Sequence, residues 1–195
     1  MTQATRQELI EGVLAGNLIS FPTDTVPALA ALPQKAPLIF AAKQRSQDKP
    51  LILMAADATE LWDFVAGSRE ELLIWQQMAA TYWPGAVTMV LPASDRVPKD
   101  INLASPDTVG LRVPNHAVAQ AILARTGALA TTSANKSGKP PLQTLEEIAA
   151  EFPHVLTLLP TLGGEPLASA MPSTVIKWIG NNWQILRLGA VTLKT

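Results

Sequence analysis

Cysteine is missing from this chain altogether, which removes disulfides, thiolate nucleophiles and cysteine-ligated metal centres from consideration. Histidine occurs only twice, as His116 near a helix start and His154 in a proline-bounded turn, and no zinc or di-metal carboxylate pattern can be assembled. We therefore expect no protein-held metal. No apolar run reaches the roughly 18 to 20 residues that a bilayer span requires. Met1 to Glu11 is charged and amphipathic, with no signal-peptide core, which predicts a cytoplasmic chain without membrane contact. Charge is sparse as well: charged residues make up 16%, the net charge is −1, and like charges form no run. Nonspecific nucleic-acid binding lacks its usual basic excess and would need a local patch. The Walker loop, the Gly-x-Gly-x-x-Gly fingerprint and the Gly-x-Ser-x-Gly elbow are all absent. So are internal repeats and flexible linker tracts, so the 195 residues read as one domain, 1–195.

What is present is apolar and regularly punctuated. Hydrophobic residues reach 48%, enough for a core on both sides of a sheet. Thr5 with Glu8, Asp57 with Glu60, Ser68 with Glu71, and Thr144 with Glu147 have capping-box spacing and predict four helix starts. Pro37 suits the first turn of another helix, and Asn115 can cap one that Gly127 closes. Between them lie short apolar runs: Leu18 to Phe21, Leu51 to Met54, Ala86 to Leu91, Thr108 to Val113, Ala128 to Thr132 and Val155 to Leu159. Ser173 to Trp178 and Trp183 to Leu188 flank Gly180-Asn181-Asn182, a hairpin signal. Helices that alternate with strands and give way to a terminal hairpin predict an α/β fold: a twisted, mixed parallel and antiparallel sheet with helices packed on it. Two long connections, 92 to 107 and 160 to 172, are of the length that usually carries function.

The chemistry gathers at strand ends. Ala128 to Thr132 runs into Ser133-Ala134-Asn135-Lys136-Ser137-Gly138-Lys139-Pro140, where hydroxyls, an amide, two lysines and a glycine can cradle an anion. Thr23-Asp24-Thr25 follows another strand. Lys43, Arg45, Arg112 and Arg187 also fall beside loops or strand ends, which in a nearly neutral chain points to phosphate or carboxylate. A surface reading explains each cation singly, and spacing alone does not show that they meet. The five tryptophans are too dispersed to form a base-stacking platform and read as core.

Seven segments occur in an order that resembles the YrdC-like, or TsaC, family: Pro22-Thr23-Asp24-Thr25-Val26, Lys43-x-Arg45, Pro50-Leu51, Val109 to Pro114, Ser133-Ala134-Asn135-x-Ser137-Gly138, Ser173-Thr174-Val175 and Arg187-x-Gly189. The resemblance covers nearly the whole chain. It implies a YrdC-like fold with a concave ligand cavity and L-threonylcarbamoyladenylate synthase activity. ATP, L-threonine and bicarbonate or carbon dioxide would be joined with release of pyrophosphate, for threonylcarbamoyladenosine modification of tRNA. Matching residues inherit expected roles. Thr25, Arg112, Thr131 and Ser173 resemble the threonine contacts; Arg45, Thr108, Ser133, Asn135 and Arg187 resemble the ATP contacts. Lys49, which stands where many relatives have asparagine, is counted with the ATP contacts. Lys43 and Arg45 correspond to the family's basic pair beside the reacting phosphate and are the expected catalytic residues. Mg²⁺ is expected to ride mainly on the ATP phosphates. Expected partners are the proteins that transfer the threonylcarbamoyl group to tRNA, with contact to tRNA or double-stranded RNA as a further expectation. Some relatives carry a second C-terminal domain, for which this chain is expected to have no room.

The chain also departs from the pattern. Pro27-Ala28 replaces Tyr-Gly, Ser46 a proline, Met54 a histidine and Pro141 a serine. These changes leave open a synthase for another amino acid, or a non-catalytic nucleotide- or RNA-binding paralogue.

Overall fold

The computed structural model describes residues 3–162 and 171–193. Its strands are β1 (Gln3–Ala4), β2 (Ile19–Phe21), β3 (Ala28–Ala31), β4 (Ile52–Met54), β5 (Val87–Pro92), β6 (Thr108–Arg112), β7 (Leu129–Ser133), β8 (Leu156–Leu158), β9 (Thr174–Trp178) and β10 (Trp183–Arg187). The helices are α1 (Arg6–Leu14), α2 (Ala36–Lys43), α3 (Arg69–Tyr82), α4 (Ala117–Thr126) and α5 (Leu145–Glu151). All ten strands join one sheet in the order β1-β8-β2-β3-β7-β4-β6-β5-β9-β10. Parallel pairs (β2 with β8, β4 with β6, β5 with β9) are interleaved with antiparallel ones (β3 with β7, β5 with β6), as the sequence pattern predicts.

Local chemistry accounts for most element starts. Reciprocal capping boxes form at Thr5/Glu8, Ser68/Glu71 and Thr144/Glu147, satisfying backbone N–H groups that the first helical turn leaves unpaired. The fourth box, Asp57/Glu60, also forms, yet it caps only the 3-10 turn Ala58–Glu60 rather than the expected helix. Pairing across the sheet intervenes: Ser94 N–H donates to the Phe64 carbonyl, Ala66 N–H donates to that of Pro92, and Val65 bridges Ala93. The chain makes one more 3-10 turn, Trp62–Phe64, and is then drawn straight at Val65 without closing an α-turn. In α4 the N-cap is His116, one residue beyond the expected Asn115, and its side chain makes no capping bond. The connection 92 to 107 is as expected, apart from a 3-10 turn at Lys99–Ile101. Most of the second, 163 to 170, lies outside the described residues.

Alternation along the central strands sorts their side chains onto two faces. Leu53, Val87, Met89, Leu91, Val109, Leu111, Ala130, Ile176 and Trp178 join one apolar core with Ile39 and Phe40 of α2 and Trp75 of α3. Met54 and Leu129, neighbours of Leu53 and Ala130, turn the other way into a second core with α1, α4 and α5. The tryptophans lie in or against the first core, as expected. On the second face the residues of β4, β5, β6 and β9 line an open hollow.

Candidate active site

The hollow is a cavity of about 700 Å³ built on one stretch of sheet. A row of side-by-side residues crosses its floor: Thr131 of β7, Ile52 of β4, Gly110 of β6, Val90 of β5 and Lys177 of β9. Gly110 keeps that floor low, because a Cβ there would stand 2.8 Å from Ile52 Cγ2. Met54 is registered against Arg112 one step along the same face.

Nine of the expected site residues line this one cavity: Thr25, Arg45, Lys49, Thr108, Arg112, Thr131, Ser133, Ser173 and Arg187. Segments far apart in the chain therefore converge, which spacing could not show. Lys43 and Asn135 do not line it. Both are buried just behind the wall, where Lys43 Nζ donates to the Ser133 carbonyl and, at 3.3 Å, to Asn135 Oδ1. Ser133 Oγ donates to the same amide oxygen at 2.6 Å, and Asn135 Nδ2 donates to the Lys136 carbonyl at 2.9 Å. The Ser133 to Lys139 loop is thus held from beneath by the lysine that α2 carries in its last turn. Burial, with Arg45 and Lys49 nearby, lowers the Lys43 ammonium pKa from 10.5 to about 7.

Arg112 is 3% exposed and every nitrogen is used. Nε donates to the Gly85 carbonyl at 3.1 Å, Nη1 to Thr25 Oγ1 at 2.9 Å, and Nη2 to Asp24 Oδ1 at 2.6 Å. A guanidinium has five N–H groups, so two remain for a ligand. Burial and Arg187 push its pKa down, while Asp24 pushes it up. The turn that supplies Asp24 and Thr25 is locked by Thr23, whose Oγ1 donates to the Val26 carbonyl at 2.7 Å and accepts from Thr25 N–H at 3.2 Å.

Arg187 Nη2 donates to the Ser173 carbonyl at 2.8 Å, and Ser173 Oγ lies 2.8 Å from Thr88 Oγ1. Arg45 reaches the Pro50 carbonyl at 3.1 Å, whereas its Nε is buried without a partner. Thr108 Oγ1 donates to the Ser105 carbonyl at 3.1 Å and accepts from Asn102 at 3.0 Å. Among the described residues no group of three or more His, Cys, Asp or Glu could hold a metal ion. Asp48, exposed at the rim, is the one acid among the described residues of the lining.

Asp24 and Thr88 are absent from the sequence-derived site. For Thr88 a signal exists: a lone hydroxyl between Val87 and Met89, on the face opposite the core, marks the polar side of its strand. Asp24 sits inside a quoted segment, but only the fold brings Arg112 to it.

The family model for Sua5, YciO and YrdC, described as telomere recombination, matches residues 11–189. The chain belongs to this family. A threonylcarbamoyl-AMP synthase of Bacillus subtilis is 31% identical over 179 residues, 90% of this chain and 50% of that protein. One from Halorhodospira halophila is 36% identical over 141 residues, covering 70% of this chain and 72% of that protein. A crystal structure of Pyrococcus abyssi Sua5 complexed with L-threonine superposes with a TM-score of 0.84 at 32% identity, covering 94% of this chain and 54% of that one. This Sua5/YciO/YrdC member thus spans about half the length of several of the relatives it matches. Among its described residues no helix is long and apolar enough to cross a membrane.

Proposed function

We propose that this chain is an L-threonylcarbamoyladenylate synthase of the cytoplasm, with residues 1–195 forming one domain. The observation that carries the reading is the convergence of Thr25, Arg45, Arg112, Ser133, Ser173 and Arg187 on one cavity, in a family whose curated relatives bear that name. The alternatives of a non-catalytic nucleotide or RNA binder and of a synthase for another amino acid gain no specific support.

The carboxylate of threonine is assigned to the free N–H groups of Arg112, with Thr25, Thr131 and Ser173 around the rest of the amino acid. The triphosphate is assigned to Arg45, Lys49, Ser133 and Arg187, with Thr108 at the nucleoside side. Arg45 keeps one further N–H on each terminal nitrogen beyond its bonds to Thr132 and Pro50. Lys43 and Asn135 act from behind, fixing the loop that presents Ser133. Threonine carbamate, formed from the amine and bicarbonate or carbon dioxide, attacks the α-phosphorus; a P–O bond to the carbamate forms as the bond to pyrophosphate breaks. Both reactants are anions, so positioning and fixed positive charge supply the catalysis without a protein nucleophile. The donor set fits Mg²⁺ carried by the phosphates, where it would neutralise charge on the leaving pyrophosphate. The labile product calls for a protein that transfers its threonylcarbamoyl group to tRNA.

Mixing the protein with Mg-ATP, L-threonine and bicarbonate should release pyrophosphate and give threonylcarbamoyl-AMP by mass spectrometry. No product with threonine, against product with a different amino acid, would overturn the substrate assignment. Arg45→Ala should slow turnover about a hundredfold, the equivalent of ~3 kcal/mol of transition-state stabilisation. An unchanged rate removes Arg45 from the mechanism.

A further inference from the structure

Three guanidinium groups line the cavity, and their counter-charges differ. Arg112 is paired with Asp24 at 2.6 Å, and both side chains are nearly buried, at 4% and 12% exposure. Among the described residues Arg45 and Arg187 have no carboxylate within 4 Å, and their partners are neutral oxygens. Lys49 and Lys177 add positive charge to the lining, against which, among the described residues, stands only the exposed Asp48. At its end of the cavity Arg112 therefore has its charge balanced by a buried carboxylate, whereas Arg187, near enough to disfavour the charge on Arg112, and Arg45, acted on by the exposed Asp48, have no such buried partner.

We infer that Asp24 is a specificity-determining residue: by neutralising Arg112 it reserves that end for a single carboxylate and keeps the triphosphate out of the amino-acid subsite. This rests on the proposed pairing of an amino acid with a nucleoside triphosphate. The physical reason is a difference of affinities. An unpaired, water-poor guanidinium attracts a phosphate chain more strongly than the single carboxylate of a zwitterion, because attraction grows with ligand charge. With Asp24 in place that advantage is largely cancelled, while the two remaining N–H groups still offer directional hydrogen bonds to a planar carboxylate. Without such a device, a cavity carrying three arginines could seat ATP in two overlapping ways, one of which blocks the amino acid. Asp24 itself does not line the cavity, so it works through Arg112.

Calorimetric titration of the full chain with inorganic pyrophosphate and with L-threonine tests this. The unaltered protein should bind one pyrophosphate, and saturating pyrophosphate should leave its threonine affinity within about twofold. Asp24→Asn keeps the shape and an acceptor oxygen but loses the charge. It should gain a second pyrophosphate site and lose about tenfold or more in threonine affinity when pyrophosphate is present, a change of ~1.4 kcal/mol. Asp24→Glu should restore the original stoichiometry, a rescue that a merely structural role does not predict. Unaltered pyrophosphate stoichiometry in Asp24→Asn, with threonine binding still insensitive to it, would overturn the inference. Should Asp24→Asn fail to fold, the natural protein decides: displacement of threonine by pyrophosphate overturns the inference, and independence supports it. If the natural protein binds pyrophosphate but not threonine, the substrate reading fails, while the stoichiometry of Asp24→Asn still reports on Asp24.

Discussion

Two buried cations lie within this site and the fold treats them differently. Arg112 has a carboxylate, the arrangement a charge removed from water requires. Lys43, 1% exposed, has only a carbonyl and an amide oxygen, and two neighbouring cations oppose its charge. Its pKa falls to about 7 in the folded protein. Between pH about 7 and the ordinary 10.5, the unfolded chain keeps a proton on Lys43 that the folded chain has released, so stability rises with pH across this window. Lys43→Met should flatten that rise in denaturant titrations at successive pH values. It should also remove one hydrogen bond each from the Ser133 carbonyl and Asn135 Oδ1, which keep the Asn135 N–H and Ser133 Oγ as donors, at about 0.5–1.5 kcal/mol per bond, and weaken ATP binding through the loosened loop. A variant with the original pH slope would show that the lysine stays charged throughout.

Among elements, the β9–β10 hairpin contributes Ser173 just before its first strand and Arg187 at the end of its second. Two residues on, a Cβ at Gly189 would lie 2.2 Å from the Pro172 carbonyl oxygen and 2.5 Å from the Ser173 carbonyl carbon. Backbone has nowhere to give, so Gly189→Ala must push the strand end away from Ser173 and break the Arg187 bond to its carbonyl. We expect a loss of about 1–3 kcal/mol in stability, the usual range for overpacking, with a larger rise in KM for ATP than for threonine. Equal KM changes would place the fault in general stability. The hairpin itself is plain in the sequence, since Gly180-Asn181-Asn182 separates two runs of β-formers, and the three helical capping boxes are equally plain. Asp57/Glu60 misleads because a capping box reports only the first turn; a second 3-10 turn, Trp62–Phe64, follows, and sheet pairing of Val65 then ends the segment before an α-helix forms. The antiparallel insertion of β3 between β2 and β7 is also hidden, because Ala28 to Ala31 is buried throughout and shows no alternation. The motif residues were legible, but whether each faces the cavity was not. Lys43 and Arg45 sit two positions apart, yet the left-handed turn at Gln44 sends Lys43 behind the wall and leaves Arg45 on it.

On the scale of the whole molecule, the cavity spans the sheet from β3 and β7, which feed both cores, to β5 and β9, which feed the first. A ligand reaching from Arg112 to Arg45 and Arg187 therefore bridges segments far apart in the chain: the end of β6, the turn after α2 and the end of β10. Binding to the folded state alone stabilises it by mass action, by about 2.7 kcal/mol at a hundredfold excess over Kd. For a chain of this size each kcal/mol raises Tm by about 2–4 °C. A non-hydrolysable ATP analogue at that excess should thus raise Tm by about 5–10 °C, and on the proposed assignment of adjacent, non-overlapping subsites threonine should add a further rise. Differential scanning calorimetry with each ligand and with both checks this. If the combined shift is no larger than that of the analogue alone, the two ligands compete for one place, and the reservation of the Arg112 end for a carboxylate is wrong.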